Sequence, residues 1–490
     1  MALTSISPNL RVPFVYVEFD NSKAQQGPSV QPFTTLIVGQ KVSAGTQAEL
    51  ELVTVTSPAQ GYELFGNRSQ IAGAIAKYLD NDKVTEVKAM AIDDDAGANF
   101  ALGKLTVAAG TATAGGTVYL YIGGRQITAA VAKGDDQDAV AAAIVAAITA
   151  DPYCYVTAAV NGTNANEVDL TAANGGEVGN EIDLRFNHFE TESFPDGISA
   201  SVTTAMAGGS GNPDIGEIIA LLPETQFNVI VHPWKDATNL TALEDELADR
   251  FGPIRQNDGV AFAAEVNTLG NLSTLGNGRN SPHSSIMGWK GMPNPGFEIA
   301  AAYAGQVSKE GQADPARPFQ TLQLVGIMAP KPEDEFTLQE RNILLTDGIA
   351  TGKVSGGVCR IERAITTFQT NAAGAPDTSY LDVNTLMTLS YLRYDFRNSF
   401  LLKYPRHKLA NDGTRIGPGQ QVLTPKRAKG FALERFQGWE SLGLAEGFDQ
   451  FKRDLVVERS ATDPNRLEFL LPPDLVNQMR VAAASIQFLL

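Results

Sequence analysis

The sequence predicts a multidomain α/β protein, and three observations carry that prediction. Apolar strand-like runs alternate with helical segments between Phe33 and Phe368, the pattern of a mostly parallel sheet covered on both faces. A segment poor in charge and rich in Ala, Gly and Thr, residues 97–211, interrupts the alternation as a small inserted α+β domain. An isolated apolar strand lies near each end, and the last, "VAAASIQFLL", finishes without a charged or polar tail. With 490 residues the chain exceeds one ordinary core and suits two to four domains.

Taken in order, "VPFVYVEFD" (12–20) sets Phe14, Tyr16 and Glu18 against Val15, Val17 and Phe19, a strand by period and residue type. The polar, Gly/Pro-bearing stretch 21–32 reads as a leash. "FTTLIVG" is a buried strand, "RSQIAGAIAKYLDN" a helix with Ile71, Ile75 and Leu79 at helical spacing, and "VTEVKAMAI" a strand. In the insert, "GTVYLYIGG" and "RQITAAVA" form a hairpin about Gly123-Gly124. A helix with an acidic start follows in "DDQDAVAAAIVAAITAD", then strands "YCYVTAAV" and "EVDLTAA", a ββαββ unit. "AMAGGSGNP" (205–213) reads as a flexible joint.

The alternation resumes with helix "DIGEIIALL", strand "FNVIVHP", helix "TNLTALEDELADRF", strand "GVAFAAEV", a helix over 296–307 and strand "FQTLQLVGI". "FTLQERNILLTDGI" is a helix with a Thr cap and Glu three residues later, and "GVCRIERAITTF" closes the run as a strand. After Thr378 come a long amphipathic helix, "DVNTLMTLSYLRYDFRNSFLLKYP", and a second, "TPKRAKGFALERFQGWESLG", opened by a Thr cap and Pro. Strand-like "DLVVERS", "RLEFLL" and "MRVAAASIQFLL", broken by Pro472-Pro473, end the chain. The units are thus 1–32 (arm and linker strand), 33–96 with 212–378 (core), 97–211 (insert), 379–475 (C-terminal α+β domain) and 476–490 (linker strand).

A net charge of −17 argues against nucleic-acid binding through the overall field. The charge is unevenly spread: residues 401–490 carry +3, and the first 400 carry −20. Lys403, Arg406, Lys408, Arg415, Lys426, Arg427, Lys429 and Arg435 crowd into 403–435, as a solvated face or a contact for an acidic partner. No stretch reaches the ~18 apolar residues of a membrane span, and the N-terminus lacks the basic-then-apolar layout of a secretory signal. Cys154 and Cys359, far apart, suit a reducing compartment.

The fragments that hint at chemistry fail on spacing. "GIATGKV" (348–354) has three residues between its glycines and Val354 after Lys353, where a phosphate loop needs four and a Ser or Thr. "DDDAGANFALGK" (93–104) misplaces the glycine of a calcium loop and ends on Lys104 in place of Glu. His188, His232, His283 and His407 have no second ligand at metal spacing. "SPHSS" (281–285) lacks a nucleophile elbow. A hydrolase with Ser284 or Ser285 as nucleophile and His283 or His232 as base is the competing reading. No catalytic, cofactor or metal residue is expected.

"LRVPFVYVEFDNSKAQQG", "FTTLIVG", the insert, the α/β core and the terminal "AAASIQFLL" together resemble, across essentially the whole chain, the tail sheath proteins of contractile-tailed bacteriophages, in the Mu-like branch. The resemblance implies a subtilisin-like core fold without the protease triad. It also implies terminal arms that add as strands to neighbouring subunits, here Phe14, Val15, Tyr16, Val17 and Phe19, and Ser485, Ile486, Gln487, Phe488 and Leu489. The implied partners are other copies of the chain in a helical sheath, the tail tube protein, and baseplate and tail terminator proteins, with no nucleic acid and no membrane insertion. Lys403, Arg406, Lys408, Lys426, Arg427 and Lys429 become candidates for tube or inter-subunit contact, and the insert is expected on the outside. The implied setting is the virion tail, assembled in the host bacterial cytoplasm; the sheath of a phage-derived injection particle is the other member of the same reading.

Overall fold

The computed structural model describes residues 31–489, so the strand expected at 12–20 lies outside the described residues. Before the insert come strands β1 (Thr34–Gln40), β2 (Val53–Val55) and β3 (Glu86–Ile92), with helices α1 (Pro58–Phe65) and α2 (Gln70–Asn81) between the last two. The insert supplies β4 (Phe100–Val107), β5 (Gly116–Ile122), β6 (Arg125–Val131), α3 (Gln137–Ala150), β7 (Val156–Val160), β8 (Glu167–Gly175), β9 (Leu184–Phe186) and β10 (Ala200–Ala207). The chain returns through α4 (Ile215–Leu221), β11 (Val229–Val231), α5 (Ala237–Phe251), β12 (Val260–Val266), α6 (Leu269–Asn277), β13 (Ser284–Trp289), α7 (Gly296–Ala313), α8 (Leu338–Thr346), β14 (Ala350–Ser355) and β15 (Val358–Arg363).

Eight of these strands form one sheet in the order β15-β14-β13-β12-β11-β1-β3-β2. The run from β14 to β3 is parallel, and β15 and β2 close the two edges antiparallel. Strand alternation assigns the faces. Ile37, Val231, Phe262 and Met287 point into a cluster with α2 and α7, and Leu36, Val38, Ile230 and Ala261 point into one with α4 and α5. Ala263 and Ile286 continue the second face onto α6 and α8. Both faces being covered explains why these strands are almost wholly apolar.

Local signals act where the sequence places them. Ser69 caps α2 by accepting from the Ala72 amide, and Ile71, Ile75 and Leu79 are buried. Thr337 and Glu340 form a reciprocal capping box on α8. Gly123 (φ 56°) and Gly124 (φ 76°) supply the two left-handed positions that a two-residue hairpin turn needs between β5 and β6.

Several expectations are corrected. "FQTLQLVGI" is not a strand of the parallel sheet. Thr321 adopts a left-handed φ of 65°, and the segment runs along the β15 edge through Thr321, Leu322 and Leu324 while burying Phe319 and Leu324. The missing strands are β13, within and after "SPHSS", and β14, which contains most of "GIATGKV". The insert has more strands than a ββαββ unit: β10-β4-β8-β7 form one sheet and β6-β5-β9 another. The joint 205–213 is tied down, because β10 runs to Ala207 and Gly209 exchanges hydrogen bonds with Asn180 at 2.8 and 2.9 Å. One apolar cluster continues from the core helices into the insert.

The rest comprises α9 (Val383–Lys403), β16 (Lys408–Leu409), β17 (Val422–Leu423), α10 (Pro425–Ser441), β18 (Ala445–Glu446), α11 (Phe448–Asp454), β19 (Val456–Arg459), β20 (Leu467–Leu470) and β21 (Asp474–Leu475). Helix α9 is not one-faced. Val383, Asn384, Leu386, Met387 and Thr388 are all buried, while Leu401 and Leu402 at its far end are exposed. Its second half joins α10 and α11 in a separate aromatic cluster, where the Phe436 and Phe451 rings stack at 4.1 Å.

Candidate assembly surfaces

The chain leaves its body in two steps. β21 pairs with β18, and the Val476 amide donates to the Leu444 carbonyl. Arg480 then reaches back to Asp382, Nη2 to Oδ1 at 2.8 Å. Asp382, the N-cap residue of α9, also accepts from Arg363 of β15 at 3.1 and 3.3 Å. Burial draws the Arg480 guanidinium down from its ordinary value, and Asp382 opposes the shift. Beyond it every residue from Val481 to Leu489 is exposed, with Ile486 at 89%, Phe488 at 76% and Leu489 at 100%. The expected terminal strand is therefore not a strand in the single chain. Ser485, Ile486, Gln487, Phe488 and Leu489 make no ladder, because a strand exists only against a partner. Phe14, Val15, Tyr16, Val17 and Phe19 lie outside the described residues. Of the leash, Gln31 is buried and donates to the Ser390 hydroxyl of α9 at 3.5 Å.

The basic stretch is less free than its composition suggests. Lys403 pairs with Glu434 at 2.5 Å, Lys408 donates to Gln420, Arg427 to the Val422 carbonyl and Lys429 to the Leu455 carbonyl. Arg435 holds Asp395, which also accepts from the Trp439 indole. The side chains of Arg406, Arg415 and Lys426 are exposed, with no partner among the described residues. Nearby, an apolar cavity of about 630 Å³ opens between α9 and the chain around β20, lined by Phe251, Phe396, Phe400, Trp439, Phe469 and Leu471. Phe396 and Phe400 one turn apart were the readable signal for it.

The hydrolase candidates sit inside the sheet. Ser284, Ser285, His232 and His283 are each at most 2% exposed. Ser285 donates to the Ile365 carbonyl at 2.6 Å and bonds Tyr303; neither serine is hydrogen-bonded to a histidine. Burial pushes both imidazoles down to about 4. Among the described residues no group of three or more His, Cys, Asp or Glu is arranged to hold a metal ion. Asp94, from the calcium-loop fragment, accepts from Gln40, Asn174 and the Gly175 amide and so joins insert to core.

A polar cluster with no local sequence signal lies at the ends of β11 and β12. Lys235 contacts Glu181 of the insert and, at 3.2 Å, Glu265; Glu181 also accepts from the Gly296 amide opening α7 at 2.9 Å. Burial holds the Glu181 carboxyl up at about 7. Beside it the Tyr155 hydroxyl donates to Glu298 at 2.5 Å. These bonds fasten the insert to the core.

Two family descriptions match the chain: the phage tail sheath protein central domain over residues 208–367, and the phage tail sheath C-terminal domain over 375–488. The Mu-like prophage FluMu tail sheath protein of Haemophilus influenzae is 40% identical over 491 aligned residues, covering 100% of both chains. The chain belongs to the phage tail sheath family. Among solved structures, the sheath tail protein of Desulfitobacterium hafniense covers 95% of this sheath chain and 97% of its own, with a TM-score of 0.50 and 12% identity. The sheath tail protein of Listeria innocua covers 90% and 92%, with a TM-score of 0.48 and 11% identity. In the sheath chain the central-domain match takes in α4 to β15, and the C-terminal match takes in α9 through the exposed tail, Arg480 included.

Proposed function

We propose that the chain is the repeating subunit of a contractile tail sheath, of a phage or of a phage-derived injection particle, and that it works by assembly and lattice rearrangement. Copies would polymerise around a tail tube into an extended helix, and a baseplate signal would let them repack into a shorter, wider one. A head-to-tail contact that does not close generates such a filament.

The observation that carries this reading, beyond family membership, is the apolar stretch from Val481 onward, exposed immediately after a half-buried anchor. An exposed apolar edge in a lone subunit is an aggregation hazard unless it has a receiving sheet elsewhere. The arms 12–20 and 481–490 are accordingly read as strands donated to neighbouring copies, and 21–32 as the linker. The subtilisin-like core is 33–96 with 212–378, the insert 97–211 faces outward, and 379–475 faces the tube. There Arg406 and Lys426 are the candidate contacts left free by the internal pairs of Lys403, Lys408, Arg427 and Lys429. Tube, baseplate and terminator proteins complete the partner set, in a virion tail assembled in the host cytoplasm.

Negative-stain electron microscopy of the full chain beside a chain ending at Arg480 tests the reading. Tubular polymers from the first and monomers from the second are expected. Equal polymerisation by both would overturn strand donation.

A further inference from the structure

The anchor of the C-terminal arm is a three-membered charge cluster at a junction. Arg363 comes from edge strand β15 of the core, Asp382 opens α9, and Arg480 belongs to the tail. The carboxylate carries both guanidiniums, so neither arginine has Asp382 to itself. Arg480 is held with its side chain 16% exposed, yet its neighbours Met479 (74%) and Val481 (83%) are open to solvent. Upstream, Asn477 is exposed, and the next backbone anchor is Val476 on the Leu444 carbonyl. Among the described residues, the tail from 477 to 480 is thus fastened to the body by the Arg480 side chain, which also donates to the half-buried Gln478 within the tail, and it joins no ladder there. Such a contact can open without unfolding anything else.

We infer that Arg480 and Asp382 form a releasable clamp that sets the free length of the C-terminal arm at one of two values. With the clamp closed the free arm starts at Val481, and its nine described residues to Leu489 reach ~30 Å as a strand. With it open the arm starts at Asn477, and the four added residues lengthen it by ~13 Å. Because Asp382 begins α9 and Arg363 ends the core sheet, tension on the arm is delivered to the joint between core and C-terminal region. A donated strand would thereby stay seated in a neighbour while the spacing between subunits changes. The lattice consequence rests on the sheath reading above; the clamp itself does not.

The clamp is tested on the unpolymerised full chain. Nitroxides at S485C and Q437C report arm reach by pulsed electron paramagnetic resonance, and the native Cys154 and Cys359 are buried. R480Q should broaden the distance distribution and extend its outer edge by up to ~13 Å, while R480K, which keeps the charge, should stay near the parent. An unchanged distribution in R480Q overturns the clamp. Should R480Q lower the melting temperature, D382N provides the second release.

The consequence is tested by deleting Ala483 and Ala484, two residues so that Ile486 and Phe488 keep their face. Polymers should be lost with Arg480 present and recovered with R480Q. Polymers from the shortened chain with Arg480 intact, or no recovery, would overturn the length-setting role. Monomers from every chain, beside the expected resonance change, would sink the sheath reading and leave the clamp standing.

Discussion

Glu181, Lys235 and Glu265 put two carboxylates and one ammonium into a mostly buried site, one negative charge in excess. Desolvation lifts Glu181 from 4.5 to about 7, with Glu265 adding to the rise and Lys235 opposing it. A carboxyl held above its unfolded value binds its proton more tightly in the folded chain. Its stabilisation is complete below pH 4.5 and is lost as the pH rises through about 7. His232 and His283 act in the opposite sense. Held near 4 against an ordinary 6.5, they stabilise above 6.5 and lose that contribution as the pH falls towards 4. These three groups together predict a stability that rises to about pH 6.5 and then levels off, because the loss from Glu181 offsets the last of the gain from the two histidines. E181Q should remove that offset, so that its stability goes on rising by roughly 1 kcal/mol between pH 6.5 and 8. Urea midpoints at pH 5.5, 6.5 and 8 read the effect; the same level profile above pH 6.5 in E181Q would refute it.

At the scale of elements, two packings invite substitution. A Cβ on Gly73 of α2 would lie 2.0 Å from the Tyr155 hydroxyl, so G73A must displace the ring and break its bond to Glu298. A loss of about 1–3 kcal/mol is expected, with faster hydrogen exchange in β7 and at the start of α7. F436A removes the ring stacked on Phe451 and should cost about 3–5 kcal/mol, appearing as an early calorimetric transition of the C-terminal cluster with the core transition retained. The elements legible in the sequence were those with a local cause: the Ser69 and Thr337 caps, the Gly123-Gly124 turn and the 3.6-residue spacing of α2. Those missed take their identity from neighbours. β13 reads as Ser-Ser-Ile-Met-Gly-Trp, where Gly288 leaves room for Ile349 and Leu272, a reason found only in the packed sheet. "FQTLQLVGI" has strand composition, but it meets the sheet only beside β15, through a few backbone bonds and one isolated antiparallel bridge between Gln323 and Arg360, and Thr321 turns left-handed within it. Of the candidate assembly surfaces, the apolar stretch 481–489 was visible directly; the Arg480–Asp382 contact, 98 positions apart, had no local trace.

At the scale of the molecule, a subunit of net charge −17 must gather beside copies of itself. Like charges at that density oppose association, and salt screens them within ~8–10 Å at physiological strength. If apolar arm donation drives assembly, raising salt should favour polymers, and sulfate more than chloride, because excluded ions strengthen apolar burial. The proposed tube contact should respond in the other direction. Arg406, Arg415 and Lys426 lie exposed without partners among the described residues, and a contact made by such charges weakens as they are screened. Two opposite salt slopes are therefore expected from one chain: polymer yield rising from 50 to 300 mM by pelleting and microscopy, and tube binding falling over the same range. R406E with K426E should flatten the second slope, leaving the first and the melting temperature unchanged. A fall in polymer yield with salt would instead make charge pairing between copies the source of cohesion, and the arms a secondary tie.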